Sequence, residues 1–486
     1  MRLGIDFGTT RTVVAVCDHG NTPVVGFEGP DGTTHDHIPT LVARRGDELR
    51  YGWHAAAVLG DEGWHGLRSF KRLLSGAEAR PGRTVELGDR EVSLHELITG
   101  FLVHVREQLQ TASNAPGIDE GPHECFVAVP AGASSQQRFA TLAAFRAAGF
   151  SVVGMLNEPS AAGIEYAHRY GKTLTSARQE VLVYDLGGGT FDASRVSMAE
   201  GRHEVVRHVG LTDFGGSDFD EVLLDLALAS AGCPRPKDDT ALLEHVREQK
   251  EGLTPNSRKV LVELDDDTVV TLQTSHLYAA CSPLVERSVA VLGELLDDEA
   301  EAQLAGVYVV GGASELPVVA RTLRERFGRR VKRSAYASAS IAVGLALALD
   351  GQAPQVDEQL SRSFGVFREW AGGDDVVFDA ILTPEHRRGS EPRVRRYRAV
   401  HNVGWLRFVE CDHVADGVPD GDVTPYAELR FPYDPALEGA DLASVPVRRL
   451  GEGPVIEERY DVDELGMVHV TITNLESGFA LQHALG

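Results

Sequence analysis

Asp185-Leu186-Gly187-Gly188-Gly189-Thr190-Phe191-Asp192 places a carboxylate at the end of a β-rich run, Val181 to Tyr184, then three glycines, a threonine and a second β-rich run reaching Val196. Near the N-terminus, Asp6-Phe7-Gly8-Thr9-Thr10 repeats the arrangement between Leu3-Gly4-Ile5 and Thr12 to Val16. Each segment reads as a β-hairpin, and the echo predicts two similar lobes facing one cleft. Glycine has no Cβ, so such a turn lets successive N–H groups converge on phosphate oxygens. Thr9, Thr10 and Thr190 add hydroxyl donors. Asp6, Asp185 and Asp192 would stand beside the polyphosphate, where carboxylates can hold the water shell of Mg²⁺. Glycine turns also simply join strands, but the matching acids and threonines favour a nucleotide site built from two hairpins. No Gly-x-x-x-x-Gly-Lys-Ser/Thr segment offers a different phosphate loop.

Outward from these segments, residues 1–350 alternate β-rich runs (Val13 to Val16, Phe126 to Val129, Val307 to Val310) with amphipathic stretches, which reads as α/β. Ser93-Leu94-His95-Glu96 is a capping box, followed at helical spacing by Leu97, Ile98, Phe101, Leu102, Val105 and Leu109. Further helices are predicted after Phe219, ending near Gly232, and from Ser135 to Gly149. Residues 351–363 turn polar and read as a linker. From Phe364 to Gly486 the runs are short and punctuated by Pro, Gly and Asp, as in an antiparallel, all-β domain.

The chain has 486 residues, enough for two or three domains at about 150 residues each. Its 47 Lys+Arg against 72 Asp+Glu give a net charge of −25, which repels phosphate backbones and anionic lipid and disfavours nucleic-acid or membrane partners. Five widely spaced cysteines without a Cys-x-x-Cys pair suit a reducing cytoplasm. Neither a signal-like N-terminus nor an apolar run long enough to span a bilayer is visible.

Four segments, Asp6-Phe7-Gly8-Thr9-Thr10, Asn157-Glu158-Pro159-Ser160-Ala161-Ala162, Asp185 to Asp192 and Val310-Gly311-Gly312-Ala313-Ser314-Glu315-Leu316-Pro317, resemble the phosphate, connecting and adenosine motifs of the DnaK-type, seventy-kilodalton heat-shock chaperones. Phe70-Lys71-Arg72-Leu73, Val129-Pro130-Ala131 with Gln137-Arg138, and Phe214 to Asp220 match as well, so the likeness covers nearly all of residues 1–350. Tyr460 to Val470 is similar, less specifically, to the family's peptide-binding β-sandwich.

The resemblance implies a two-lobed actin-like ATPase with ribonuclease-H-like lobes, clasping ATP or ADP with Mg²⁺ and hydrolysing ATP by in-line attack of water. It assigns Lys71 to the γ-phosphate and attacking water, a sound role for a fixed cation. Glu158 would orient metal-bound waters, or else be an ordinary carboxylate at a helix start. Asp185 and Thr190 complete the implied catalytic set, and Asp6, Asp185 and Asp192 reach the metal through water. Gly8, Thr9, Thr10, Arg11, Gly187, Gly188, Gly189, Gly215, Gly216, Lys250, Thr254, Gly311, Gly312 and Ala313 would hold the nucleotide. Pro130 and Arg138 match the interlobe switch and its relay; a strand-end proline and a solvated helix arginine are the plainer readings.

Three departures stand out. Glu251 and Glu315 occupy positions where the family clamps adenine with arginines, so nucleotide affinity or base preference is open. The linker, Gln355-Val356-Asp357-Glu358-Gln359, lacks the family's docking leucines, and burying Asp357 or Glu358 unpaired would oppose docking. Coupling is then expected to be weak or to use another surface. Gly486 follows soon after the sandwich, so the expectation is a β domain without the family's helical lid.

Weaker signals have plain readings. His35 and His37 are two imidazoles short of a zinc site. The repeated Gly52-Trp53-His54 and Gly63-Trp64-His65 suit packing better than partner contact. Arg387, Arg388, Arg393, Arg395, Arg396 and Arg398 form a basic cluster that could meet an acidic partner or be a solvated face. The leading expectation is an ATP-hydrolysing, chaperone-like protein whose β domain binds unfolded or extended polypeptide, with co-chaperones as further partners. A nucleotide-gated module with one dedicated partner is the alternative, and a small-molecule kinase on the same fold a third.

Overall fold

A computed structural model describes residues 1–74, 82–115, 123–199, 202–211, 213–236, 239–265, 268–351, 355–356, 358, 360–370 and 375–485. Asp357 and Gln359 of the linker lie outside the described residues. In the first lobe, β1 (Arg2–Phe7) and β2 (Arg11–Val16) form the N-terminal hairpin, joined by β3 (Ile38–Pro39), β4 (Glu124–Val129) and β5 (Ser151–Asn157) in the order β5-β4-β1-β2-β3. The second lobe has β6 (Glu180–Leu186), β7 (Phe191–Ser197), β8 (Arg202–Leu211), β9 (Leu304–Val310) and β10 (Val331–Arg333), with a two-residue strand, β11 (Gln355–Val356), at its edge. Its order is β10-β9-β6-β7-β8-β11. In both sheets the first hairpin strand runs parallel to the next two on one side and antiparallel to its hairpin partner on the other. The internal echo is thus a duplicated topology, the arrangement of ribonuclease-H-like lobes in an actin-like ATPase.

The hydrophobic runs explain these sheets. β1 and β9 are buried along almost their whole length, as expected of strands covered on both faces. The helix α1 (Leu94–Thr111) starts where the capping signal placed it: the Ser93 hydroxyl accepts from the Glu96 N–H at 3.4 Å, and all six periodic residues are buried. It brings Phe101 to 5.8 Å from the Phe7 ring, inside a cluster with Phe70 and Phe145. Helices α2 (Ser135–Ala147), α3 (Glu158–Tyr170), α4 (Gly216–Ala231) and α5 (Thr240–Glu251) follow, with Gly232 ending α4 at φ +70°. Helix α6 (Ser340–Leu349) carries small residues because it touches backbone: a Cβ on Gly344 would lie 1.9 Å from the Ala161 carbonyl oxygen of α3. Among the described residues no helix is long and apolar enough to cross a membrane.

The remainder is a β-sandwich. One sheet orders β13 (Asp375–Leu382), β12 (Ser363–Trp370), β15 (Val403–Cys411) and β16 (Thr424–Pro432); the other orders β14 (Arg393–Arg398), β17 (Val455–Val462), β18 (Val468–Asn474) and β19 (Ala480–Leu485). All these pairings are antiparallel. Phe364 stacks on Phe408 at 5.2 Å in the core. Glu458, fully buried, accepts from Tyr460 at 2.7 Å and pairs with Arg368 at 2.5 Å, tying the two sheets.

Docking differs from the linker expectation. Gln355 and Val356 pair in parallel with Arg202 and His203, so the linker adds a strand to the second lobe. Glu358 is buried, 5% exposed, but not unpaired: it accepts from the Asn157 backbone N–H and pairs with Arg388 of the sandwich. Charge compensation removes the penalty that an isolated carboxylate would incur. Apolar contact comes from elsewhere, since Leu465 and Met467, between β17 and β18, pack into the first lobe's core.

The basic cluster is largely compensated internally: Arg387 meets Glu204, Arg388 Glu358, Arg395 Asp379, Arg396 Glu457 and Arg398 Glu476. His35 stacks on Trp53 at 3.8 Å, while Trp64 is buried beneath Arg45 and Arg50.

Candidate nucleotide site

The two hairpins close with the same bond. Gly8 N–H donates to the Arg11 carbonyl at 3.0 Å, and Gly187 N–H to the Thr190 carbonyl at 3.0 Å. The turns meet face to face, for a Cβ on Gly188 would lie 2.3 Å from Thr10 Cγ2. Only glycine permits that approach. The N-terminus of α4 braces the second turn: Gly216 N–H donates to Gly187 O at 2.9 Å and Ser217 N–H to Gly188 O at 2.8 Å.

A cavity of about 720 Å³ opens between the lobes. It brings together Asp6, Gly8, Thr9, Thr10, Arg11, Lys71, Pro130, Glu158, Asp185, Gly187, Gly188, Thr190, Asp192, Gly216, Lys250, Gly311, Gly312 and Ala313, with Glu251 and Glu315. Gly189 and Gly215 pack on each other behind the second turn and do not line it. Thr254 lies apart, in an exposed turn where its N–H donates to the Ser257 hydroxyl at 3.0 Å. Arg138 is buried outside the cavity, donating to Asn157 Oδ1, and burial with the nearby Arg388 lowers its pKa to about 10. It is therefore not a solvated helix arginine.

Lys71 Nζ stands 3.0 Å from Glu158 Oε1, with Lys71 only 4% exposed. Burial works against its charge, but Glu158 and Asp6 hold it above the ordinary lysine range. Burial pushes the Asp6 carboxyl up to about 7, helped by Glu158 and opposed by Lys71, and does the same to Asp192. Asp185 is driven well above the usual carboxylate range by burial and by its acidic neighbours. One ammonium among four carboxylates leaves the site short of positive charge, and Asp6 Oδ1 is buried without a hydrogen-bond partner. A divalent cation suits this donor set. Among the described residues no group of three acids, histidines or cysteines is arranged to grip a metal directly, so the acids fit a hydrated ion better than a bare one.

Some pairings around the site were not anticipated. Lys250 is tied to Asp220 at 2.6 Å and to Gly216 O at 2.8 Å; Asp220 closes the Phe214–Asp220 motif, which could have pointed to it. Arg68 pairs with Glu244 across the cleft. Arg362, from the sandwich's first approach, forms a wall with Asp412 and Asp422 at 3.2 Å each. Glu251, where an arginine was expected, pairs with Arg11 from the opposite lobe.

Duplicated lobes, a cleft between them and an appended sandwich define a chain of the actin-like, two-lobed fold class. The family model described as Hsp70 protein matches residues 2–359. The chain belongs to the Hsp70 family. It is 30% identical over 372 residues to a chaperone protein HscA homolog of Chromobacterium violaceum, covering 71% of this chain and 58% of that one. It is 28% identical over 362 residues to the chaperone protein DnaK of Mycoplasma mobile, covering 71% and 57%. The chain thus spans less than three fifths of the length of these curated relatives.

Proposed function

We propose that the chain binds ATP with Mg²⁺ between its lobes, hydrolyses it slowly to ADP and phosphate, and uses the sandwich to hold extended segments of unfolded polypeptide in the cytoplasm, with co-chaperones as further partners. The observation that carries this reading is the pair of glycine hairpins, closed by the same hydrogen bond and facing one cavity with the Lys71–Glu158 pair. The N–H groups of both turns, with Thr9, Thr10 and Thr190, would grip the phosphates. Asp6, Asp185 and Asp192 would hold the water shell of Mg²⁺, whose charge offsets that on the transferring phosphoryl group. Lys71, held charged, would orient the attacking water and stabilise developing charge at the γ-phosphate, and Glu158 fixes where its ammonium points. Pro130 would act as the interlobe switch and Arg138 as its relay, a reading supported by Pro130 lining the same cavity and by Arg138 meeting Asn157, the residue before Glu158. The proposed division is 1–350 for the nucleotide unit, 351–363 for the connection and 364–486 for the sandwich.

Single-turnover hydrolysis with and without an unstructured hydrophobic peptide tests it. Turnover stimulated by peptide is expected; ATP bound but never cleaved would replace the ATPase reading. A gated module with one dedicated partner is the second reading, favoured by the ionic seal of Glu358 with Arg388. Capture of many unrelated unfolded chains by the sandwich would exclude it.

A further inference from the structure

We infer that Arg11 holds the base of the bound nucleotide, a task performed from the first lobe because Glu251 and Glu315 of the second lobe cannot perform it. The inference rests on the nucleotide reading above. If the phosphates lie on the glycine hairpins, the remaining cavity, where the base would lie, runs past the Gly311-Gly312 turn, which abuts the second hairpin at Asp185 and Leu186, to the end of α5 and Glu315. That part of the cavity offers Glu251 and Glu315, whose carboxylates repel the electron-rich faces of an aromatic ring. Arg11 leaves the first hairpin and crosses the cleft to reach it. Its guanidinium pairs with Glu251 and passes over the turn, Nη1 3.6 Å and Cζ 3.9 Å from where a Cβ of Gly312 would be.

A guanidinium held by its edge in an ion pair keeps a flat face for stacking, which a lysine ammonium lacks. The Arg11 side chain is 23% exposed, so it is partly withdrawn from water before a ligand arrives. Glu251 acts through Arg11, as a positioning residue. The same pair joins the two lobes, so release of the base and separation of the lobes draw on one contact.

Calorimetric titration of the full chain with ADP, and separately with inorganic tripolyphosphate, both with Mg²⁺, tests the assignment, with melting curves to establish that each variant folds. Arg11→Ala is expected to weaken ADP about tenfold and leave tripolyphosphate within about twofold. Arg11→Lys, which keeps the charge and loses the plane, is expected to bind ADP as weakly as Arg11→Ala. Equal ADP affinity in wild type and Arg11→Ala, parallel loss of both ligands, or full recovery by Arg11→Lys would each overturn it. Wild type that binds neither ligand would overturn the nucleotide reading and this inference together, an outcome distinct from the other three.

Discussion

Glu358 and Arg388 form an ion pair that is withdrawn from solvent, 2% and 13% exposed at their side chains, where the connecting segment meets the sandwich. Arg388 also donates to the Met155 carbonyl of β5 at 2.9 Å, and Glu358 accepts from the Asn157 N–H. The next residue is Glu158, which pairs with Lys71 in the nucleotide site. A short covalent and hydrogen-bonded path therefore joins the sandwich to the site.

Glu358→Ala strands the Arg388 guanidinium, and losing one partner of a buried pair costs about 3 kcal/mol. The expected outcome is a loosened sandwich, seen as a larger radius of gyration in small-angle scattering. An unchanged radius would mean that Leu465 and Met467 suffice to hold it.

Lys71→Ala removes the cation facing the phosphates. A fall of about 10² to 10³ in single-turnover rate is expected, comparable to removing one charge-stabilising donor. Retention of half the rate would take Lys71 out of the chemistry.

His203 is 2% exposed, its Nδ1 has no partner, and burial lowers its pKa to about 4. The folded protein holds this imidazole neutral, whereas the unfolded chain takes up a proton near pH 6.5. Stability from this group is complete above pH 6.5 and is lost as pH falls towards 4, by about 3 kcal/mol. Because His203 pairs with Val356, the linker strand should loosen in the same window. Melting temperatures measured from pH 7.5 to 4.5 should fall less steeply in His203→Gln; parallel curves would place the acid sensitivity elsewhere.

Gly344→Val forces side-chain atoms into the Ala161 carbonyl, where even a Cβ stands at 1.9 Å. Separation of α6 from α3 should cost at least about 2 to 3 kcal/mol. Denaturant titration would show a lowered midpoint, and a midpoint equal to wild type would contradict the backbone contact.

What the sequence revealed was mainly local. The hairpins, the Ser93 cap and the left-handed Gly232 depend on residues a few positions apart, and each reads directly as geometry. Pairings of distant residues were opaque: nothing near Glu358 announces Arg388, and nothing near Glu251 announces Arg11. Burial of Glu358 looked prohibitive because its partner was out of view. Thr254 fell outside the cavity because matching a motif gives order along the chain, whereas the turn after α5 directs that residue to solvent.

Met467 sits in the first lobe's core at 4% exposure although it is carried by the sandwich. The two halves consequently share one piece of interior, and a fragment cut at the connecting segment would bare an oily socket sized for a thioether. Such a fragment would be expected to clump or to recruit a substitute plug, so assays on either half in isolation would sample a differently surfaced object from the intact chain.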